Sequence, residues 1–223
     1  MRQRRLWLVL GGSAFVFVAL MLLTPLNPLA LLPGEDSGEF FASSEPQVID
    51  NPRAPLASFY DPAVLYWREA LNRWALEYSL NPNVLAIVMQ IESCGNPQAL
   101  SWVGAVGLMQ VMPFHFENGE NQLNPNTNVA RGMGVFYECL TVFSGWDLGL
   151  ALACYNGGPS VTVTDSAYWP QETQFYYEWA TSLWEEVVDG EDESPTLTTW
   201  LENGGDSLCQ DAAQILFPSE SGS

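Results

Sequence analysis

Glu92 is singled out by what precedes it. The run Val84-Leu85-Ala86-Ile87-Val88-Met89-Gln90-Ile91 is apolar on almost every face when wound as a helix, the pattern of a helix buried in the middle of a domain. A carboxyl at the C-terminal end of such a helix is driven towards its neutral form by desolvation and by the negative end of the helix dipole. Both raise its pKa, which a general acid needs in order to hold its proton near neutral pH. In a known case a carboxyl in an apolar pocket reaches a pKa of about 6. On this local pattern alone, a carboxylate that caps the helix or turns outward is the competing reading.

The surrounding blocks narrow the choice. Glu92-Ser93-Cys94-Gly95-Asn96-Pro97-Gln98-Ala99-Leu100-Ser101 is followed by Gly104-Ala105-Val106-Gly107-Leu108-Met109-Gln110-Val111-Met112-Pro113. Asn124-Pro125 with Asn128 and Gly132 comes next, then Ala151-Leu152-Ala153-Cys154-Tyr155-Asn156-Gly157-Gly158-Pro159, then Glu172-Thr173-Gln174 with Tyr176. In order and content these blocks resemble the soluble lytic transglycosylase family, over roughly Tyr60 to Val188. Cys154, Gly157 and Ser160 depart from the commonest family residues, but all are small.

The resemblance implies a lysozyme-like, mostly helical domain with a groove for a glycan strand. It implies cleavage of the β-1,4 bond between N-acetylmuramic acid and N-acetylglucosamine, with Glu92 as acid and then base and a 1,6-anhydromuramoyl end as product. Ordinary glycosidases need two carboxyl groups; here the substrate's acetamido group would take the place of the second, and no acidic residue follows Glu92 until Glu117.

Other site roles rest on the same resemblance. Ser101 is expected to hydrogen-bond Glu92 or substrate, and Gln110 an acetamido group. Tyr155 is expected to orient the catalytic carboxyl, with Asn156 beside it in the groove and Glu172 supporting the site. Tyr176 and Trp169 are open between sugar platform and core, whereas Trp146, Met109 and Met112 lean towards core, with a place in the groove left open for one of the methionines. A hydrolytic muramidase on the same fold and a non-catalytic glycan-binding scaffold of an envelope complex are the rival functions. No cofactor or metal is implied.

The elements that must hold these residues are helical. Asp61-Pro62 and Asn81-Pro82 are each an N-cap followed by proline in the first turn, predicting helices from there to about Ser79 and over the Glu92 segment. Gly95, Asn96 and Pro97 stop the latter, and a short helix is expected at Leu108 to Val111. Asn128 to Leu140, Asp147 to Tyr155 and Gln171 to Val188 have helical spacing. Ser194 caps a further small helix, another follows Gly204-Gly205, and only Val161 to Thr164 alternates like a strand. The predicted fold class is mainly α.

Ahead of the domain, Leu6 to Leu23 carries no charge and, wound as a helix, spans about 27 Å at roughly 1.5 Å per residue. Arginines precede it and acids follow, so the N-terminus is expected in the cytoplasm and the rest outside. A retained anchor is favoured over a cleaved signal peptide by length and by the missing Ala-x-Ala. The expected organisation is 1–5 cytoplasmic, 6–25 anchor, 26–58 Pro-rich linker, 59–190 catalytic domain and 191–223 an extension of unknown role. The expected location is the bacterial envelope, with membrane and peptidoglycan glycan as partners and protein partners left open.

Charge excludes other classes. Seven basic residues, all Arg, face 26 acidic ones, for a net charge of −19. Such a surface repels a phosphate backbone, so nucleic acid is not a partner. The four cysteines, Cys94, Cys139, Cys154 and Cys209, lie beyond the anchor and suggest two disulfides of open connectivity. Zinc is the poorer reading, because no Cys-x-x-Cys occurs and His115 is the only histidine. A bridge at Cys94 or Cys154 would stiffen the site.

Overall fold

A computed structural model describes residues 49–218, and among these the protein is mainly α. Eight α-helices follow one another: α1 (Pro62–Leu65), α2 (Arg68–Tyr78), α3 (Pro82–Ser93), α4 (Pro125–Glu138), α5 (Leu148–Gly157), α6 (Gln171–Asp189), α7 (Pro195–Trp200) and α8 (Asp206–Leu216). No strand forms among the described residues; two isolated antiparallel bridges, Leu100 with Val106 and Val106 with Val111, are the only β pairing.

Local chemistry sets the helix starts. The side chains of Asp61, Asn81, Asn124, Asp147 and Ser194 each accept from a first-turn amide, satisfying donors that have no partner within the helix. The expected helix from Pro62 to Ser79 is broken at Tyr66-Trp67. The break turns the Trp67 indole so that its N–H donates to the Gly95 carbonyl at 2.8 Å, tying this hairpin to the end of α3.

α3 lies at the centre. Every residue from Pro82 to Gln90 is buried, and the helix packs against α1, α2, α6 and α8. α5 lies along α6, and the two are close enough that a Cβ on Gly149 would come within 2.9 Å of Tyr177. The core runs from Tyr60 and Leu71 through Leu85 and Met89 to Leu152, Leu183 and Ala212.

Some sequence expectations are corrected. Leu108 to Val111 is not a helix: Val106 and Val111 exchange amide hydrogen bonds at 3.0 and 3.1 Å, and the glycines around them favour turns over helix. Val161 to Thr164 is no strand but the end of a 3₁₀ turn, Pro159–Val163. Trp146 is not core; it is half exposed on a turn at φ 72°. Residues 49–58, expected as linker, fold onto the domain. Ile49 and Leu56 are buried, the Asn83 amide donates to the Pro55 carbonyl at 2.9 Å and accepts from Ala57 N at 2.9 Å. Prolines bar helix and strand there, but a buried asparagine supplies partners to extended backbone.

Residues 191–218 likewise pack onto the domain. Ser194 and Thr196 both donate to the Glu186 carboxylate, which also accepts from Thr196 N at 3.0 Å. The cysteines form two disulfides, Cys94–Cys209 and Cys139–Cys154. No helix among the described residues is long and apolar enough to cross a membrane; the expected anchor at 6–25 and linker residues 26–48 lie outside them.

Candidate active site

Glu92 occupies the last turn of α3, and the chain reverses immediately after it. Cys94 is left-handed at φ 47° and Gly95 follows at φ 80°. A Cβ on Gly95 would lie 2.5 Å from the Ala63 carbonyl oxygen, so only glycine lets α1 approach here. Buried Ser93 fastens the turn from inside: its hydroxyl donates to the Leu108 carbonyl at 2.7 Å and accepts from Gly95 N at 3.2 Å.

Beyond the turn, residues Ala99 to Val111 form a doubled-back loop around buried Asn128 of α4. The Asn128 carbonyl accepts from Met109 N at 2.9 Å, and its amide donates to the carbonyls of Val106 at 2.8 Å and Gln122 at 3.1 Å. Gly107, at φ 74°, sits against this amide where a Cβ would be 2.5 Å from it. One buried side chain thus satisfies three loop groups that would otherwise lack partners.

Glu92, Ser101, Gln110, Tyr155, Asn156 and Glu172 line one open cavity of about 790 Å³, within the roughly 300–1,000 Å³ typical of ligand sites. Met112 also lines it, whereas Met109 is fully buried. Tyr176 lies behind the cavity wall, 3% exposed. Trp169 is core too, its indole N–H shared between the Val161 and Thr164 carbonyls at 3.0 Å each.

Glu92 is half-buried at the floor of this cavity. Burial pushes its carboxyl up to about 8; the Tyr176 hydroxyl opposes this by favouring the charged form, and the like charge of Glu172 adds to it. Glu172 is exposed in the first turn of α6. The two acids thus have opposite surroundings.

The two tyrosines near Glu92 sit differently. The Tyr155 hydroxyl donates to the Met109 carbonyl at 2.6 Å and so spends its proton on the loop rather than on Glu92. Gly132 makes room for this latch, since a Cβ there would be 2.6 Å from that of Met109 and 3.0 Å from the Tyr155 hydroxyl. The buried Tyr176 hydroxyl holds the Glu92 pKa down without meeting a partner at ordinary hydrogen-bond geometry. Burial, then the nearby Glu92 charge, raises both phenols well above their usual range, so both keep their protons.

Ser101 is a turn-bracing residue, its hydroxyl accepting from Ala105 N at 2.9 Å; that leaves its own proton for a ligand. Gln110, left-handed at φ 46°, donates its amide to the Gly107 carbonyl at 3.0 Å. Asn156 accepts from the Thr173 hydroxyl at 2.8 Å.

Sequence reasoning did not find the fourth side of the cavity. Leu208, Asp211, Gln214 and Ile215, all on α8, line it as well. Nor did it find Gln90, buried between the turns. The Gln90 carbonyl accepts from Asp61 N at 3.1 Å, and its amide lies 3.2 and 3.6 Å from the two sulfurs of the Cys94–Cys209 bridge. The sequence signals for α8 were the helix expected after Gly204-Gly205 and Cys209, whose partner was open.

A single half-buried acid with a raised pKa thus faces an open cavity on a helical domain. Residues 69–174 match the Transglycosylase SLT domain. The chain is 36% identical to the transglycosylase of Enterobacteria phage PRD1 over 114 residues, 50% of this chain and 40% of that protein. It is 40% identical to the membrane-bound lytic murein transglycosylase C of Actinobacillus pleuropneumoniae serotype 5b (strain L20) over 43 residues, 19% of this chain and 12% of that protein. The chain therefore matches less than half the length of either relative.

Proposed function

We propose that this protein is a peptidoglycan lytic transglycosylase of lysozyme-like fold. It cleaves the β-1,4 bond between N-acetylmuramic acid and N-acetylglucosamine and leaves a 1,6-anhydromuramoyl end. The observation that carries this reading is the Glu92 carboxyl, raised to about 8 on the floor of the cavity.

In the first step Glu92 gives its proton to the glycosidic oxygen as the bond to the anomeric carbon breaks. The substrate's acetamido oxygen holds the positive charge that develops there. Glu92, now a carboxylate, takes the proton of the muramoyl C6 hydroxyl while that oxygen closes on the anomeric carbon. One bond breaks, one forms, the proton is restored to Glu92, and water is not consumed. A group that is acid and then base works best with a pKa near the operating pH.

Supporting roles follow from position. Tyr176, whose hydroxyl favours the charged form of Glu92, eases the carboxylate stage. Glu172 keeps Glu92 protonated between turnovers through like-charge repulsion. Ser101, Gln110 and Asn156 offer hydrogen-bonding groups to acetamido and hydroxyl substituents. The name of the Actinobacillus relative, a membrane-bound enzyme, and the charge-free run after the N-terminal arginines support a place in the bacterial envelope, tethered by residues 6–25.

The test is mass analysis of muropeptides released from purified peptidoglycan by the full chain. Anhydro products, lighter by one water than reducing-end products, are expected. Reducing ends alone would make the enzyme a muramidase, and binding without release would make it a scaffold.

A further inference from the structure

The family match ends at residue 174, but the cavity does not. Along α8, Leu208, Asp211 and Ile215 fall on one helical face with Gln214 at its edge, and all four line the cavity that holds Glu92. The buried residues of that helix, Cys209 and Ala212, face inward. Cys209 is bonded to Cys94, two residues after Glu92, and Phe217 just past the helix meets Tyr66 edge-on at 5.8 Å. The helix is therefore held on the frame that carries the acid.

The same cavity has an apolar lip. Leu100, Trp102 and Val103 line it, and Trp102 is 98% exposed while Leu100 is 72% exposed. Scattered exposed apolar residues are ordinary, but three within four residues on the rim of a cavity form a patch with a use. An indole presents a flat face of the kind that packs on the C–H face of a pyranose ring, while carboxylate and amide groups bond the ring's hydroxyls. No Arg or Lys lines the cavity, whereas Glu92, Glu172 and Asp211 do. Such a lining repels an anionic ligand and suits a neutral, hydroxyl-rich one.

We propose that Trp102 and the outward face of α8 form a sugar-binding subsite for a neutral N-acetylhexosamine unit of the strand, one not at the scissile bond. Trp102 stacks on the ring, Asp211 accepts from its hydroxyls, and Gln214 accepts or donates as the hydroxyls require. This rests on the transglycosylase reading, and it makes α8 a specificity element added to the family domain.

Binding is measured by calorimetry on the full chain carrying Glu92→Gln, with neutral N-acetylglucosamine oligosaccharides of increasing length as the probe. Trp102→Ala, and separately Asp211→Ala with Gln214→Ala, are each expected to weaken binding of the longer oligosaccharides about tenfold, the scale of a charge-assisted hydrogen bond or a stacked ring. Short oligosaccharides that do not reach the subsite should bind as before. In the active chain the loss should fall on KM for glycan strands rather than on kcat. All three side chains are exposed, so an unchanged melting temperature serves as the folding control. Unchanged affinity at every length in either variant overturns the subsite. Failure of the unmutated chain to cut peptidoglycan would instead overturn the transglycosylase reading, since the binding assay involves no turnover.

Discussion

α3 and α8 meet at one disulfide and could hardly differ more in what they expose. Ten of the twelve residues of α3 are buried; of the eleven in α8, only Cys209 and Ala212 are. The acid sits at the end of the buried helix because desolvation is what raises its pKa. The exposed helix offers Asp211 and Gln214 to a ligand because a group that must bond hydroxyls has to remain reachable. Chemistry and recognition ask for opposite environments, and the Cys94–Cys209 bridge joins a helix of each kind.

The largest expected effect lies on the buried side. Glu92→Gln keeps the shape of the side chain but cannot deliver a proton, and turnover should fall by about 10²–10⁴-fold or more, read from released muropeptides. Wild-type-like activity would end the assignment. In the unaltered chain kcat/KM should decline above a pH of about 8, roughly tenfold per unit, as Glu92 loses its proton. The same shift acts on stability. The raised folded-state pKa means that Glu92 supports the fold fully below its ordinary value near 4.5 and loses that support as pH rises towards about 8. Thermal melts of Glu92→Gln should therefore show a weaker decline across that window.

The bridges give the next test. Cys94–Cys209 spans 115 residues and Cys139–Cys154 spans 15. By chain entropy these contribute about 4.7 and about 3 kcal/mol respectively. Replacing both cysteines of the first pair with serine should lower the melting temperature more than replacing the second pair, by a difference of several degrees. It should also raise KM by loosening α8. The reverse order in the melts would mean that α8 stays in place without its staple.

Gly132→Ala probes the latch between α4, Met109 and Tyr155. The added methyl would meet Met109 Cβ at 2.6 Å, an overpacking worth about 1–3 kcal/mol, seen as a lower melting temperature and reduced turnover. Smallest is Tyr176→Phe. Removing a hydroxyl that favours the carboxylate should move the alkaline limb of the pH profile upward by a fraction of a unit. It should cost little stability, since no bond of ordinary geometry is lost. A downward shift would refute the assigned role.

Much of this was legible in the residues themselves. Asp61 and Asn81 with their following prolines fixed where α1 and α3 begin, because a cap is a local bond between neighbours in sequence; α4 starts at Pro125, ahead of the expected Asn128. The unbroken apolar run before Glu92 announced a buried helix with a carboxyl at its end. The broken hairpin at Trp67, the bridged loop at Val106 and the exposure of Trp146 were not legible; Trp67 turns to bond Gly95 and the loop closes on Asn128, partners that only the tertiary fold supplies.

The sequence by itself determined that the domain is helical, that Glu92 closes a helix apolar on almost every face, and that the cysteines are numerous enough for two bridges. Periodicity, capping and composition are properties of neighbouring residues. Which cysteines pair, which tyrosine hydroxyl acts on Glu92, and that α8 walls the cavity were decided only in three dimensions. Each depends on atoms more than a hundred residues apart, or on a few tenths of an ångström in packing, as where Gly132 admits the Tyr155 hydroxyl to the Met109 carbonyl.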